Sequence, residues 1–315
     1  MAVKIKALIK SSPLFPIIIK ARKEYAKKKP ISYTKYQYKK FYNAPLDLDN
    51  PEKLSEKIQW LKLFVYPKND KVVLAADKYT LHQYLDGKEM GKYRVPYIKV
   101  FDDANELDFE KLPNQFVIKK TNASGFNLIV KNKDELNISS TKKLLEEWMN
   151  TDFGMINTEF HYSAAQPKII CESFLNLGDE YRFFMVSGEI AFIQVIIWDW
   201  ETNKDGKKNK DDAVIAGHKK HYRLHFDKNL KLLWSDKGAP QQNISLPNYW
   251  KELLEVSKII GQDFPVVRVD FNDVNGKPKI TELTFTPASG FLDILKHDKL
   301  LDLELGSRLE LSGFQ

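Results

Sequence analysis

Residues 265–285 read PVVRVDFNDVNGKPKITELTF: two runs of β-branched and aromatic residues around Asn275-Gly276. Asn-Gly between alternating apolar runs is a strong signal for a tight β-hairpin. What makes this hairpin constraining is the charge inside it: Arg268 and Asp270 in the first run, Glu282 in the second. Strand alternation puts Arg268 and Asp270 on one face. Counting back across the turn brings Ile280 or Glu282 to that face, depending on register. Two carboxylates facing each other inside apolar strands repel unless a cation sits between them. Mg²⁺, which needs only one or two carboxylates plus phosphate oxygens, fits such a pair. The alternative is two surface acids served by Lys277 and Lys279. Arg268 either neutralises a developing oxyanion or transferring phosphoryl group, or simply pairs with Asp270.

Two further segments carry chemistry. QFVIKK (115–120) is an apolar strand ending in Lys119 and Lys120, followed by the turn TNASGFN and a second strand, LIVK. A lysine at a strand end beside a small, polar turn suits a polyphosphate, although strand-end lysines are commonly just solvated. KIICESFL (168–175) is an apolar strand running into a connector before Glu180-Tyr181-Arg182. It offers an apolar wall and backbone groups to a flat heteroaromatic ring, and Glu180 and Arg182 share a face.

The rest reads as mixed elements. The spacing of Leu54, Ile58 and Leu61 predicts a helix over 50–64, with Asn50 as N-cap and Pro51 at the first position. Residues 70–90 read as strand then helix, and YIKV after Pro96 as extended. Helices are expected at 140–150 and 248–262, and a helical region after residue 289. EYRFFMVSGEIAFIQVIIW (180–198) is strand, turn, strand; HYRLHF and KLLW form another pair; 201–212 is a charged loop. Antiparallel strand pairs with helices between them make an α+β chain of at least two lobes.

Composition excludes other classes. The chain has 315 residues, 43% of them hydrophobic, enough for a packed core. One cysteine, Cys171, rules out a disulfide framework, and its place in an apolar strand predicts a buried thiol. His218, His221 and His225 match no zinc spacing. Lys219, Lys220, His221 and Arg223 read as a solvated edge or a contact for an acidic substrate. The net charge is +7, but residues 1–40 hold twelve basic residues and one acid, a local +11 that leaves −4 elsewhere. The basic character belongs to an N-terminal arm, so nucleic-acid binding by the fold is not expected. No apolar run is long enough to span a membrane, and the interrupted apolar stretches before Lys20 do not read as a signal peptide. Two readings of the arm stay open: contact with an anionic membrane face, or packing on the body. The tyrosines at 33, 36, 38 and 42 likewise read as a stacking platform or as packing.

In order, NPEKLSEKIQWLK, ADKYTLHQY, FVIKKTNASGFN, PKIICESFL, EYRFFMVSGE and RVDFN…ITELTFTPASG resemble the TupA-like ATP-grasp group over about residues 45–292. The hairpin by itself resembles that of the D-alanine–D-alanine ligases. This resemblance implies an ATP-grasp fold, two α+β lobes gripping ATP, with a basic helical arm. Its divisions would be the arm (1–45), a preceding region (46–110), a small lobe (111–176) and a large lobe with the hairpin (177–315). It implies that Lys78 and Lys119 bind ATP phosphates with the Ser124-Gly125 loop. Glu172, Phe174 and Leu175 would hold adenine, and Glu180 the ribose or the metal shell. Arg182 and Arg268 would be catalytic, with Asp270, Glu282 and Thr284 holding Mg²⁺. Three positions depart from the pattern: Thr284 for Asn, Thr121-Asn122-Ala123-Ser124-Gly125 for Asn-His-Gly-Ser-Gly, and His82-Gln83 for Arg-Glu.

The function implied is a cytoplasmic ligase, near the inner membrane face if the arm touches it. It would join a carboxylate to an amine through an acyl phosphate. The occurrence of the group in bacterial polysaccharide gene clusters points to a uronic acid as the carboxylate and an amino acid or small amine as its partner. The alternative is a glycosyltransferase-like or sugar-binding protein without ligase activity.

Overall fold

A computed structural model describes residues 15–198, 221–239 and 246–314. The strands among the described residues are β1 (Tyr97–Phe101), β2 (Phe116–Lys120), β3 (Asn127–Val130), β4 (Ile169–Ser173), β5 (Glu180–Val186), β6 (Glu189–Trp198), β7 (His221–Phe226), β8 (Leu232–Ser235), β9 (Val266–Val274) and β10 (Lys277–Thr284). They form two antiparallel sheets, of order β1-β4-β2-β3 and β10-β9-β5-β6-β7-β8. The first strand of the small sheet comes from before residue 110, because Tyr97–Phe101 pairs with β4.

The large sheet sorts its side chains by alternation. Phe183, Met185, Ile193, Val267, Val269, Phe271 and Leu283 are buried on one face, in a core shared with Leu253, Val256 and Ile260 of helix Trp250–Gly261. Each such side chain contributes about 1.5–3 kcal/mol on burial. The opposite face keeps the polar residues of the same strands. The small sheet packs Phe116, Ile118, Leu128, Ile169 and Cys171 on Leu145 and Trp148 of helix Ile138–Met149. Cys171 is the buried thiol expected, pushed up to about 12 by burial.

Local chemistry moved two expected boundaries. The helix expected from Asn50 starts at Leu54, because the Glu56 carboxylate reaches back to the backbone N–H groups of Glu52 and Lys53, both at 3.2 Å. The strand expected at 70–76 is a helix, Asp70–Ala76. The Asn69 side chain accepts the Val72 N–H at 3.1 Å and caps it, and Val72, Ala75 and Ala76 bury one helical face.

Helices Phe15–Lys28 and Pro30–Tyr42 make up the described part of the arm. The second buries Tyr33, Thr34 and Tyr38; Tyr38 shares a hydrogen bond with the Ser55 hydroxyl at 2.8 Å, and its ring packs at a tilt against Tyr42 with centroids 4.5 Å apart. The tyrosines at 33 and 38 therefore pack on the body, while Tyr36 stays 59% exposed. The charged loop at 201–212, with His218, Lys219 and Lys220, lies outside the described residues.

Candidate active site

A β-bulge settles the register that the sequence left open. Ile280 pairs with Phe271, but Glu282 pairs with Asp270, so Thr281 is an extra residue on β10. Glu282 and Asp270 thereby share the polar face. Asn275 and Gly276, at φ 53° and 75°, form the tight turn that joins the strands.

From this pair a polar row crosses the sheet in register: Glu282, Asp270, Arg182, Gln194 and His225. Arg268 forks onto Asp270 with its Nε at 2.6 Å and a terminal nitrogen at 2.5 Å, and also donates to Thr284 Oγ1 at 3.0 Å. Arg182 donates to Glu180 Oε1 at 2.6 Å and to Gln194 Oε1 at 3.2 Å, and lies 3.8 Å from Asp270. Since Gln194 uses its oxygen on Arg182, its amide N–H₂ donates to His225 Nε2 at 2.7 Å. That assigns the imidazole proton to Nδ1. Burial, with Arg223 and Arg182 adding to it, lowers His225 to about 3, so the ring is neutral.

The small-sheet side supplies two lysines. Asp77 Oδ1 accepts the N–H groups of Tyr79 and Thr80 at 2.8 and 3.0 Å, which fixes the turn carrying Lys78. Lys78 Nζ then reaches Ala123 O at 2.5 Å, in the β2–β3 turn that holds the exposed Ser124 and Gly125. Gly125 has φ 79°, a conformation that favours glycine. Asn122 pins this turn from behind, donating to Tyr162 O and Ala165 O at 2.9 and 3.0 Å. Lys119 pairs with Glu172 Oε2 at 2.5 Å. Lys120 points the other way, into the carbonyls of Trp148 and Thr151. Phe174 and Leu175, half-buried, begin the connector to β5. His82 is buried with its ring 5.0 Å from Tyr97, and borders a cavity of about 430 Å³ also lined by Arg94 and Lys279.

The two sides meet at Glu282. Burial alone would raise this carboxyl, but Lys78, Arg268, Arg182 and Lys119 together outweigh it and hold Glu282 below its ordinary value. For Asp270, burial wins and raises the carboxyl against the pull of Arg268 and Arg182. Among the described residues the Glu282 oxygens accept no hydrogen bond. They form an ionised donor set open to a ligand, next to Asp270. Among the described residues no group of three or more His, Cys, Asp or Glu side chains is arranged to hold a metal ion by itself. A divalent ion here would have two protein carboxylates and would need phosphate oxygens or water for the rest, which is the habit of Mg²⁺. Thr284, expected beside that ion, has its hydroxyl on Arg268.

The sequence reading missed the wall beyond Thr284. Ala288 and Ser289 adopt left-handed conformations, φ 50° and 59°, without being glycine. Their loop is held by Gln59 Nε2 on Ser289 O and Gly290 O (3.2 and 3.1 Å) and by Lys62 Nζ on Ser289 O at 3.1 Å. The Ser289 hydroxyl donates to buried Glu159 at 2.9 Å. Non-glycine residues kept at positive φ by many partners cluster at functional sites. Gln194 was also missed, though a lone amide in the apolar run IAFIQVIIW was its signal. Of the residues read as a solvated edge, His221 is exposed, but Arg223 is not free in solvent. His225 is buried, and Arg223 pairs with Asp236 and Asp293 at 2.7 and 2.9 Å.

The model of the TupA-like ATP-grasp family matches residues 56–310. The chain belongs to that family. This TupA-like chain is an ATP-grasp ligase. Among solved structures it resembles the D-alanine–D-alanine ligase of Bacillus anthracis, at 19% identity and a TM-score of 0.43, over 76% of this chain and 69% of that one. It also resembles the L-amino acid ligase of Bacillus licheniformis, at 12% identity and a TM-score of 0.44, over 96% and 65%. A search of curated proteins finds no significant match.

Proposed function

We propose that this ATP-grasp ligase binds Mg²⁺–ATP between its two sheets and activates a uronic acid as an acyl phosphate for attack by an amino acid or small amine. The observation that carries the reading is the convergence on Glu282 of Lys78 and Lys119 from one side and Arg182 and Arg268 from the other. Asp270 and Glu282 would hold Mg²⁺, which screens phosphate charge. Lys78, Lys119 and the Ser124-Gly125 turn would contact phosphates, and Glu172, Phe174 and Leu175 the adenine. Lys119 and Glu172 are now bonded to each other, so nucleotide would separate them. Arg268, a planar fork beside the carboxylates, suits an oxyanion that appears as the acyl phosphate forms and is attacked. The uronate and the setting in bacterial polysaccharide synthesis rest on the family's motifs, and ATP use fits a cytoplasmic location.

Binding is tested by thermal shift with a non-hydrolysable ATP analogue and Mg²⁺. Ligand at about 100 times its dissociation constant stabilises by about 2.7 kcal/mol. No shift at saturating nucleotide sinks the reading. ATP consumption across a matrix of nucleotide uronates and amines, with mass spectrometry of the product, then tests the substrates. A shift without turnover on any uronate would remove the uronate and keep the ligase.

A further inference from the structure

Helix Pro30–Tyr42 divides cleanly into two faces. Tyr33, Thr34 and Tyr38 are buried against the body; Ile31, Lys35, Tyr36, Lys39 and Lys40 are exposed. Positions 31, 35 and 39, with 36 and 40, follow the three-to-four-residue spacing of one helical stripe. That stripe alternates lysine with large apolar groups: Ile31 is 42% and Tyr36 59% exposed. The preceding helix, Phe15–Lys28, adds Arg22, Lys23, Lys27 and Lys28 with exposed Tyr25, and Tyr25 packs edge-on against Tyr33 at 6.4 Å. Over residues 22–42 there are eight basic residues and one acid. Among the described residues none of the eight pairs with a carboxylate. Arg22 spends its guanidinium on Tyr33 and Asn157 instead.

A helix pair already docked on the body by one face does not need this other face for folding. The six exposed lysines, Lys27, Lys28, Lys29, Lys35, Lys39 and Lys40, are complementary to an anionic surface. We propose that the outward face of residues 22–42 docks on a bilayer with anionic head groups. The lysines sit at phosphate level and Tyr25, Ile31 and Tyr36 dip below it. An acidic polysaccharide would also match the charge. The bilayer is favoured because the first helix opens on the aliphatic sequence Phe15-Pro16-Ile17-Ile18-Ile19, which a polyanion in water does not require. The proposal is independent of the reaction catalysed.

The test is flotation of the full-length chain with phosphatidylcholine vesicles, with and without phosphatidylglycerol, at low and high salt. The expected result is binding only where phosphatidylglycerol is present. Combined Lys35→Glu, Lys39→Glu and Lys40→Glu should weaken it by at least about 100-fold. Lys35→Glu alone should weaken it roughly five-fold, which keeps the test usable if the triple variant folds poorly. Ile31→Ser with Tyr36→Ser should weaken the salt-resistant part, since charge attraction is screened there. Equal binding to both vesicle types, or binding untouched by the charge reversals, overturns the proposal. Displacement by polygalacturonate, with no effect of Ile31→Ser and Tyr36→Ser, reassigns the face to an acidic polymer and also overturns it.

Discussion

Glu282 stands opposite Asp270 because Thr281 is taken up as an extra residue on β10; in regular register Thr281 would hold that place and Glu282 would face Val269. Thr281 is not idle in the bulge, since its hydroxyl donates to Asn272 Oδ1 at 3.0 Å. The pair of carboxylates is thus a product of backbone irregularity as much as of residue choice.

Glu282→Gln should lower Mg²⁺-dependent nucleotide affinity by about 10-fold or more, a loss of at least 1.4 kcal/mol. It should also change acid stability. The Glu282 pKa is depressed in the folded state, so its contribution is complete above the ordinary value of 4.5 and is lost as pH falls below it. Melting temperature against pH below 4.5 should fall less steeply in the variant. Identical acid limbs would mean that the four cations do not act on Glu282.

Arg268→Lys and Asp270→Asn should fail at different steps. A lysine keeps the charge but not the fork. Nucleotide affinity should therefore stay near wild type while kcat falls by about 100-fold, as for loss of one preorganised donor. Asp270→Asn should lose both nucleotide affinity and turnover. If Arg268 serves only to pair with Asp270, both variants lose stability and neither shows a selective kcat defect.

His225→Phe and Gln194→Leu should each lower kcat by about 10- to 100-fold with little change in the KM for ATP. Both remove the backing of Arg182, which neither replacement contacts through a charge. Because His225 is neutral down to about pH 3, the wild-type activity profile should show no limb near pH 6.5 that His225→Phe abolishes. Such a limb would mean that His225 takes up a proton within the working pH range and would overturn its neutral assignment.

His161 is fully buried among Tyr66, Tyr162 and Phe285, and among the described residues neither ring nitrogen has a hydrogen-bond partner. Burial, with Lys62 adding to it, lowers it to about 3. The unfolded chain therefore binds the extra proton between pH 6.5 and 3, and stability falls as pH falls through that window. His161→Phe should flatten the loss by up to about 1.4 kcal/mol per pH unit and leave neutral stability the same or higher. An unchanged slope would sink the assignment.

The hairpin, the strand pairs and the terminal helices were legible because alternation and turn chemistry act over a few residues. Asp70–Ala76 was not: Val72, Val73 and Leu74 look like a strand, and only the Asn69 cap and the packing of Val72, Ala75 and Ala76 decide for a helix. At the site, Arg268, Asp270, Glu282 and Lys119 stood out as charges in apolar or turn contexts, whereas Lys78 came only from the resemblance to the family. Gln59, Lys62 and Glu159 did not. They act on the Ala288–Ser289 loop from more than a hundred residues away in sequence, and nothing local distinguishes them from surface polar groups.

The strands that carry Arg268, Asp270 and Glu282 turn Val267, Val269, Phe271 and Leu283 into the deepest part of the core. One hairpin therefore bears both the conserving and the innovating demands on the molecule, and it can answer only the first. A substitution there that altered the chemistry would also loosen the interior. Change that spares the interior has more room on β7 and β8, the short, partly exposed strands at the opposite edge of the sheet from β10.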